Sequence, residues 1–106
     1  MHDKELLELA AGGAALTLEE SIYPGWFMCH GRQWNPLVDD GDALRLAVQL
    51  DLTFQSLAEN KTIEAWHHGD LCWEPWGHDK FAATHRAIVR AAAEIGKNAK
   101  RAASAG

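Results

Sequence analysis

The sequence lacks an uninterrupted apolar run of the length that a membrane-spanning helix requires, which is about twenty residues. Its N-terminal stretch, MHDKELLELAAGGAAL, also lacks the basic segment that opens a secretory signal peptide. Cysteine is scarce, and the two present, Cys29 and Cys72, do not indicate a disulfide framework. These absences predict a protein of the cytoplasm that does not cross a membrane.

Positively charged residues are also fewer than negatively charged ones. The chain carries 10 Lys and Arg residues against 15 Asp and Glu residues, a net charge of -5. Binding to nucleic acid through its phosphates needs Lys and Arg in excess, so this balance disfavours nucleic acid as a partner. The phosphate-binding patterns G-x-x-x-x-G-K-[ST] and G-x-G-x-x-G do not occur, and neither cysteine lies in a recognisable nucleophile context. The sequence therefore predicts a protein that is not an enzyme and needs no cofactor.

The spacing of apolar residues predicts a single α+β domain over residues 1–106. The predicted helices cover residues 3–11, the stretch from the aspartates at 39–42 to Leu50, and residues 79–96. The predicted strands cover residues 26–30, 52–57, 62–68 and 71–74. We expect a small antiparallel sheet of about four strands covered by helices, in the order helix-strand-helix-strand-strand-strand-helix. The basic tail from about residue 97 is expected to fray.

Tryptophan is unusually frequent, with five in 106 positions. Three of the five lie in or next to the stretch HHGDLCWEPWGH at residues 67–78. Indole rings stack on flat ligands and donate a directed hydrogen bond, while imidazole and guanidinium groups supply further hydrogen bonds and charge. The sequence thus predicts a ligand-binding site formed by Trp66, His67, His68, Trp73, Trp76 and Arg90. Such a site suits a nucleotide-like ligand or the hot spot of a protein interface.

The same tryptophans could instead belong to the hydrophobic core. This interpretation is favoured for Trp26 and Trp34. It is evenly balanced for Trp73 and Trp76, because a loop that contains Pro and Gly is a poor place to bury a large apolar side chain.

A metal site is the weaker alternative, with His67, Cys72 and His78 as ligands. Their spacing matches no compact zinc pattern such as paired C-x2-C elements. His67 and His68 would also point to opposite faces of a strand, which hinders joint ligation. The plainer interpretation is that the two histidines are polar residues near a turn, and that both cysteines are buried and inert.

Two further stretches carry a resemblance. In WNPLVDDGDALRLAVQLDL, residues 34–52, a Trp-Asn-Pro-Leu segment leads into an acidic helix start. The second stretch, ATHRAIVRAAAEIGK at residues 83–97, is Ala-rich and less specific. Both resemble small uncharacterised phage and prophage proteins that are associated with a phage α/β/α sandwich domain. The two stretches cover about a third of the chain, and residues 53–78 lie outside them.

The resemblance implies an α/β/α sandwich-like fold and a phage accessory protein that acts in the cytoplasm of the bacterial host. It brings no established activity and no catalytic residues. Because small phage proteins often blunt host defences, our first hypothesis is a non-enzymatic homo-oligomer that sequesters a nucleotide-like immune signal. The second is a protein that docks on a host protein through its tryptophan-rich loop. The third is a small metal-dependent hydrolase.

Overall fold

The computed structural model describes residues 2–67 and 70–105, and folds them into three helices and two antiparallel sheets. The helices are α1 (Asp3–Gly13), α2 (Asp40–Gln49) and α3 (Lys80–Ala105). The first sheet contains β1 (Glu19–Glu20), β2 (Phe27–Cys29) and β3 (Arg32–Trp34). The second contains β4 (Thr53–Leu57), β5 (Thr62–His67) and β6 (Asp70–Pro75). The predicted α+β class is confirmed, and no helix of the described part is both long and apolar enough to cross a membrane.

The first sheet differs from the prediction. The sequence predicts one strand over residues 26–30, whereas the structure has a hairpin of β2 and β3, with β1 paired to β2 on the other side. His30 and Gly31 make the turn, with φ angles of 53° and 76°. Two consecutive residues with positive φ match the twist of paired strands and reverse the chain tightly. The prediction of one sheet of about four strands is therefore wrong, because the described residues form two sheets of three strands.

The second sheet lies close to the predicted strands and packs one face on α3. Its register pairs Ala65 with Phe54 on one side and with Cys72 on the other. The buried side chains between sheet and helix are Ile63, Ala65, Cys72, Ala83, Ala87 and Ala91. The small alanine side chains let the helix come close to the strands. Because strand side chains alternate, the other face of this sheet points away from α3.

The opposite side of α3 belongs to the main hydrophobic core. Ile88 and Val89 of this helix are buried there together with residues of α1, α2 and the first sheet. These partners include Leu6, Leu7, Ala10, Phe27, Cys29, Trp34, Leu46 and Ala47. The helix α3 therefore lies between the second sheet and a layer made of the remaining elements. Trp34 is buried, in agreement with its predicted core role, and Trp26 is half-buried.

The crossing of α1 and α3 depends on glycine. A Cβ added to Gly96 would overlap the Leu9 carbonyl oxygen, and a Cβ added to Gly13 would lie 2.5 Å from the Ala92 carbonyl oxygen. Without side chains at these positions the two backbones can approach closely. The sequence predicts that the last helix ends at Gly96, but α3 continues through it to Ala105. Gly96 is thus a contact residue and not a helix stop, and the tail expected to fray is helical.

Candidate functional site

The face of the second sheet that points away from α3 carries exposed apolar side chains. The register places Trp66 beside Leu71 and Glu64 beside Trp73 on this face. Leu71 is 54% exposed, Trp73 is 57% exposed, and Trp66 is half-buried. We call this surface the outer sheet face. Its members are Thr53, Gln55, Leu57, Thr62, Glu64, Trp66, Leu71, Trp73 and Pro75.

A carboxylate lies at the centre of the outer sheet face. Glu64 is on the middle strand, with Gln55 on one side and Trp73 on the other. Its Oε1 accepts a hydrogen bond of 3.0 Å from the Gln55 amide. Among the described residues, no Lys, Arg or His forms an ion pair with Glu64. The centre of the outer sheet face therefore carries a negative charge that no cation of the described residues neutralises.

Two of the predicted site residues lie on the other side of the sheet. The Trp76 indole packs against the cluster between sheet and helix, and its Nε1 donates to the Thr62 carbonyl oxygen at 3.1 Å. Arg90 projects from α3, forms an ion pair with Glu74, and donates to the Trp73 carbonyl oxygen at 3.0 Å. Trp76 Nε1 and Arg90 Nη1 are thus engaged within the protein. The structure brings Trp66 and Trp73 together and separates them from Trp76 and Arg90.

His67, one of the two histidines of the predicted site, lies at the end of β5. His67 is half-buried, and it lines a depression of about 330 Å³ together with Asp51, Thr53 and Trp66. His68 lies outside the described residues. Within the described part of the chain, no group of three or more His, Cys, Asp or Glu residues could hold a metal ion. The alternative with His67, Cys72 and His78 as metal ligands therefore gains no support from these residues.

A second site, which the sequence analysis missed, surrounds Asp42 in the first turn of α2. This side chain is 3% exposed, and its Oδ2 accepts a hydrogen bond of 2.9 Å from the Asn35 backbone N–H. Its Oδ1 lies 3.6 Å from Arg32 and 3.5 Å from Arg45. The sequence indicates only helix capping for this group of aspartates, a role that Asp39 fills by accepting from the Asp42 backbone N–H. Asp42 instead anchors two guanidinium groups.

The third aspartate of this segment contacts a buried histidine. His85 on α3 is 8% exposed. Its Nε2 lies 2.5 Å from Asp40 Oδ1, and its Nδ1 lies 3.2 Å from the Leu37 carbonyl oxygen. The two ring nitrogens of His85 thus contact oxygens from two different segments of the chain. This contact joins the start of α2 to α3, and its geometry is that of a structural link.

A cavity of about 190 Å³ opens beside Asp42, between the β2–β3 hairpin and α2. Its lining is Leu16, Cys29, His30, Arg32, Gln33, Trp34, Asp42, Arg45, Leu46 and Gln49. Burial raises the pKa of the Cys29 thiol, the Asp42 carboxylate raises it further, and Arg32 opposes the shift. The thiol therefore stays protonated at neutral pH, which does not suit a nucleophile.

Comparison with known proteins adds no relative. No protein-family model, curated protein or solved structure matches the chain.

Proposed function

We propose that this chain is a non-enzymatic interaction protein that docks on a partner protein through its outer sheet face. The observation that carries the proposal is the exposure of Leu71 and Trp73, at 54% and 57%, on neighbouring positions of a sheet face that α3 does not cover. Large apolar side chains grouped on a surface mark protein interaction sites, and tryptophan is enriched among the residues that dominate binding energy. Trp66 extends this patch on the adjacent strand.

The charge at the centre of the patch indicates the chemistry of the partner. Burial of the Glu64 carboxylate without a cation would cost binding free energy, because an ion loses its hydration. A second copy of this chain, stacked about a twofold axis through the centre, would bring two Glu64 carboxylates together. The face therefore suits a different protein that presents an Arg or Lys side chain among apolar ones. The homo-oligomer predicted from the sequence would have to form through another surface.

The docking hypothesis has better support than the nucleotide-sequestering hypothesis. The latter requires one pocket that joins the stacking tryptophans to Arg90. Trp73 lies on the outer sheet face, whereas Trp76 lies on the opposite side of the sheet and Arg90 belongs to α3. Trp76 Nε1 donates to Thr62, and Arg90 Nη1 donates to the Trp73 carbonyl oxygen and pairs with Glu74. From the resemblance to phage accessory proteins we further propose that the partner is a protein of the bacterial host.

The experiment that tests this proposal is affinity capture from a bacterial lysate with the full chain and two variants. Trp73→Ser alters the outer sheet face, and Val48→Ser alters a 67% exposed apolar residue of α2 as the matched control. We expect a specific protein that is captured by the native chain and by Val48→Ser but lost with Trp73→Ser. With that protein purified, calorimetry should show affinity reduced by about tenfold or more for Trp73→Ser.

Charge reversal tests the stated chemistry of the partner. Glu64→Lys should abolish binding to the purified partner, and added salt should weaken the native complex, since an interfacial cation is attracted to Glu64. Capture that is equal for Trp73→Ser and Val48→Ser would refute the outer sheet face as the docking site. Binding that tolerates Glu64→Lys would refute a cationic contact at its centre.

A further inference from the structure

The cavity beside Asp42 has the charge arrangement of a small-anion site. The guanidinium groups of Arg32 and Arg45 converge on one carboxylate oxygen, at 3.6 and 3.5 Å. Within this group of three side chains two cations share one anion, an excess of one positive charge, and the nearby Asp39 carboxylate accepts from the Asp42 backbone N–H. The protonated Cys29 thiol adds no negative charge to offset it.

The guanidinium groups keep hydrogen-bond donors available. Distances of 3.5 and 3.6 Å are ion-pair contacts, longer than good hydrogen bonds. The side chains of Arg32 and Arg45 are 60% and 63% exposed, and among the described residues neither donates a hydrogen bond to another acceptor. Each guanidinium carries five N–H donors in a planar fork that matches an oxyanion. A ligand at the mouth of the cavity can therefore accept several of these donors.

The buried carboxylate explains why both arginines stay in place. Asp42 is 3% exposed, and loss of both cations would leave its charge uncompensated inside the protein. One of its oxygens is already used by the Asn35 backbone N–H. The attraction at the other oxygen holds the two guanidinium groups near each other before a ligand arrives, which lowers the entropic cost of binding.

The dimensions and the walls of the cavity restrict the ligand. Its volume of about 190 Å³ is below the range of about 300–1,000 Å³ that is typical for drug-sized ligands. Trp34 and Leu46 give it an apolar wall. We infer that the chain binds a small oxyanion here, a carboxylate or phosphate group that the two guanidinium forks engage. This site is on a different part of the molecule from the outer sheet face, so the inference does not depend on the proposed function.

The test is an NMR titration of the full chain with sodium butyrate and, separately, with inorganic phosphate, against sodium chloride at equal ionic strength. At least one of the two anions should give saturable shifts centred on the backbone of β2, β3 and the first turns of α2. Selectivity between them identifies the anion, since butyrate reports a carboxylate with an apolar tail and phosphate reports a tetrahedral group. Shifts that are absent, that do not saturate, or that equal those in sodium chloride would overturn the inference.

Three arginine variants locate the binding. Arg32→Gln and Arg45→Gln each leave one cation on Asp42, so the fold should persist, and each should weaken anion binding by about tenfold. Arg86→Gln is the matched control, because it also removes one guanidinium group. Arg86 pairs with Asp3, and neither residue lines the cavity. The anion affinity of this variant should equal that of the native chain. If Arg86→Gln weakens anion binding as much as Arg32→Gln and Arg45→Gln do, binding depends only on the net charge of the chain, and the proposed site is wrong.

Discussion

Gly96 of α3 lies against the Leu9 carbonyl group of α1, with no space for a Cβ between the two backbones. Gly96→Ala should therefore push the helices apart. We expect a loss of about 1–3 kcal/mol in the free energy of unfolding, as is typical of overpacked interiors. Urea denaturation followed by circular dichroism measures this loss.

Gly12→Ala is the control for this substitution. Gly12 lies in α1 next to Gly13, but a Cβ added there meets no atom within 4 Å. Because alanine favours the helix over glycine by about 1 kcal/mol, this variant should be as stable as the native chain or more stable. Equal stability of Gly96→Ala and the native chain would show that α1 and α3 are not in close contact at this glycine.

His85 should contribute to stability as the link between the start of α2 and α3. His85→Ala removes the contacts to Asp40 Oδ1 and to the Leu37 carbonyl oxygen, and it leaves that buried carbonyl without its donor. We expect the free energy of unfolding to fall by about 2 kcal/mol. His78→Ala, at an exposed histidine, should change it little. Equal effects of the two variants in urea denaturation would contradict the linking role.

The sequence predicts well those elements of the fold that depend on local residue patterns. Helix α2 begins after its predicted acidic cap, and β4–β6 follow the alternation of apolar residues and the turns between them. The β2–β3 hairpin is missed because each strand is too short to show alternation. The anion site is missed because only Asp42 and Arg45 are neighbours on one helix, whereas Arg32 arrives from a strand. Trp76 lies on the α3 side like Cys72, in the position that continued strand alternation gives it, but the predicted strand ends at residue 74, which assigned Trp76 to a loop.

Cys29 should make the stability of the fold depend on alkaline pH. Burial raises the pKa of its thiol in the folded state, with a further increase from Asp42 and an opposing effect of Arg32. The protonated thiol is thus favoured by folding, and this contribution is present at neutral pH. Above the ordinary pKa of a thiol the unfolded chain loses its proton first, so stability falls as pH rises through the folded-state pKa.

The measurement for Cys29 is urea denaturation of the native chain and of Cys29→Ala across the alkaline range. The difference in unfolding free energy between the two should shrink as pH rises. Cys72→Ala serves as the comparison for the loss of a buried thiol elsewhere. A difference between the native chain and Cys29→Ala that stays constant over this pH range would contradict the raised pKa.

Trp73 and Trp76 are three residues apart, but substitution of Trp76 should lower the free energy of unfolding far more than substitution of Trp73. Trp73 is 57% exposed on the outer sheet face, so Trp73→Ser should change the free energy of unfolding by less than about 1 kcal/mol. The Trp76 indole packs against the sheet–helix cluster and donates to the Thr62 carbonyl oxygen. Trp76→Ala should therefore cost about 2–3 kcal/mol. Urea denaturation of both variants measures the contrast. If Trp73→Ser destabilised the chain as much as Trp76→Ala, Trp73 would be part of the core, and the outer sheet face would lose the residue on which its docking role depends.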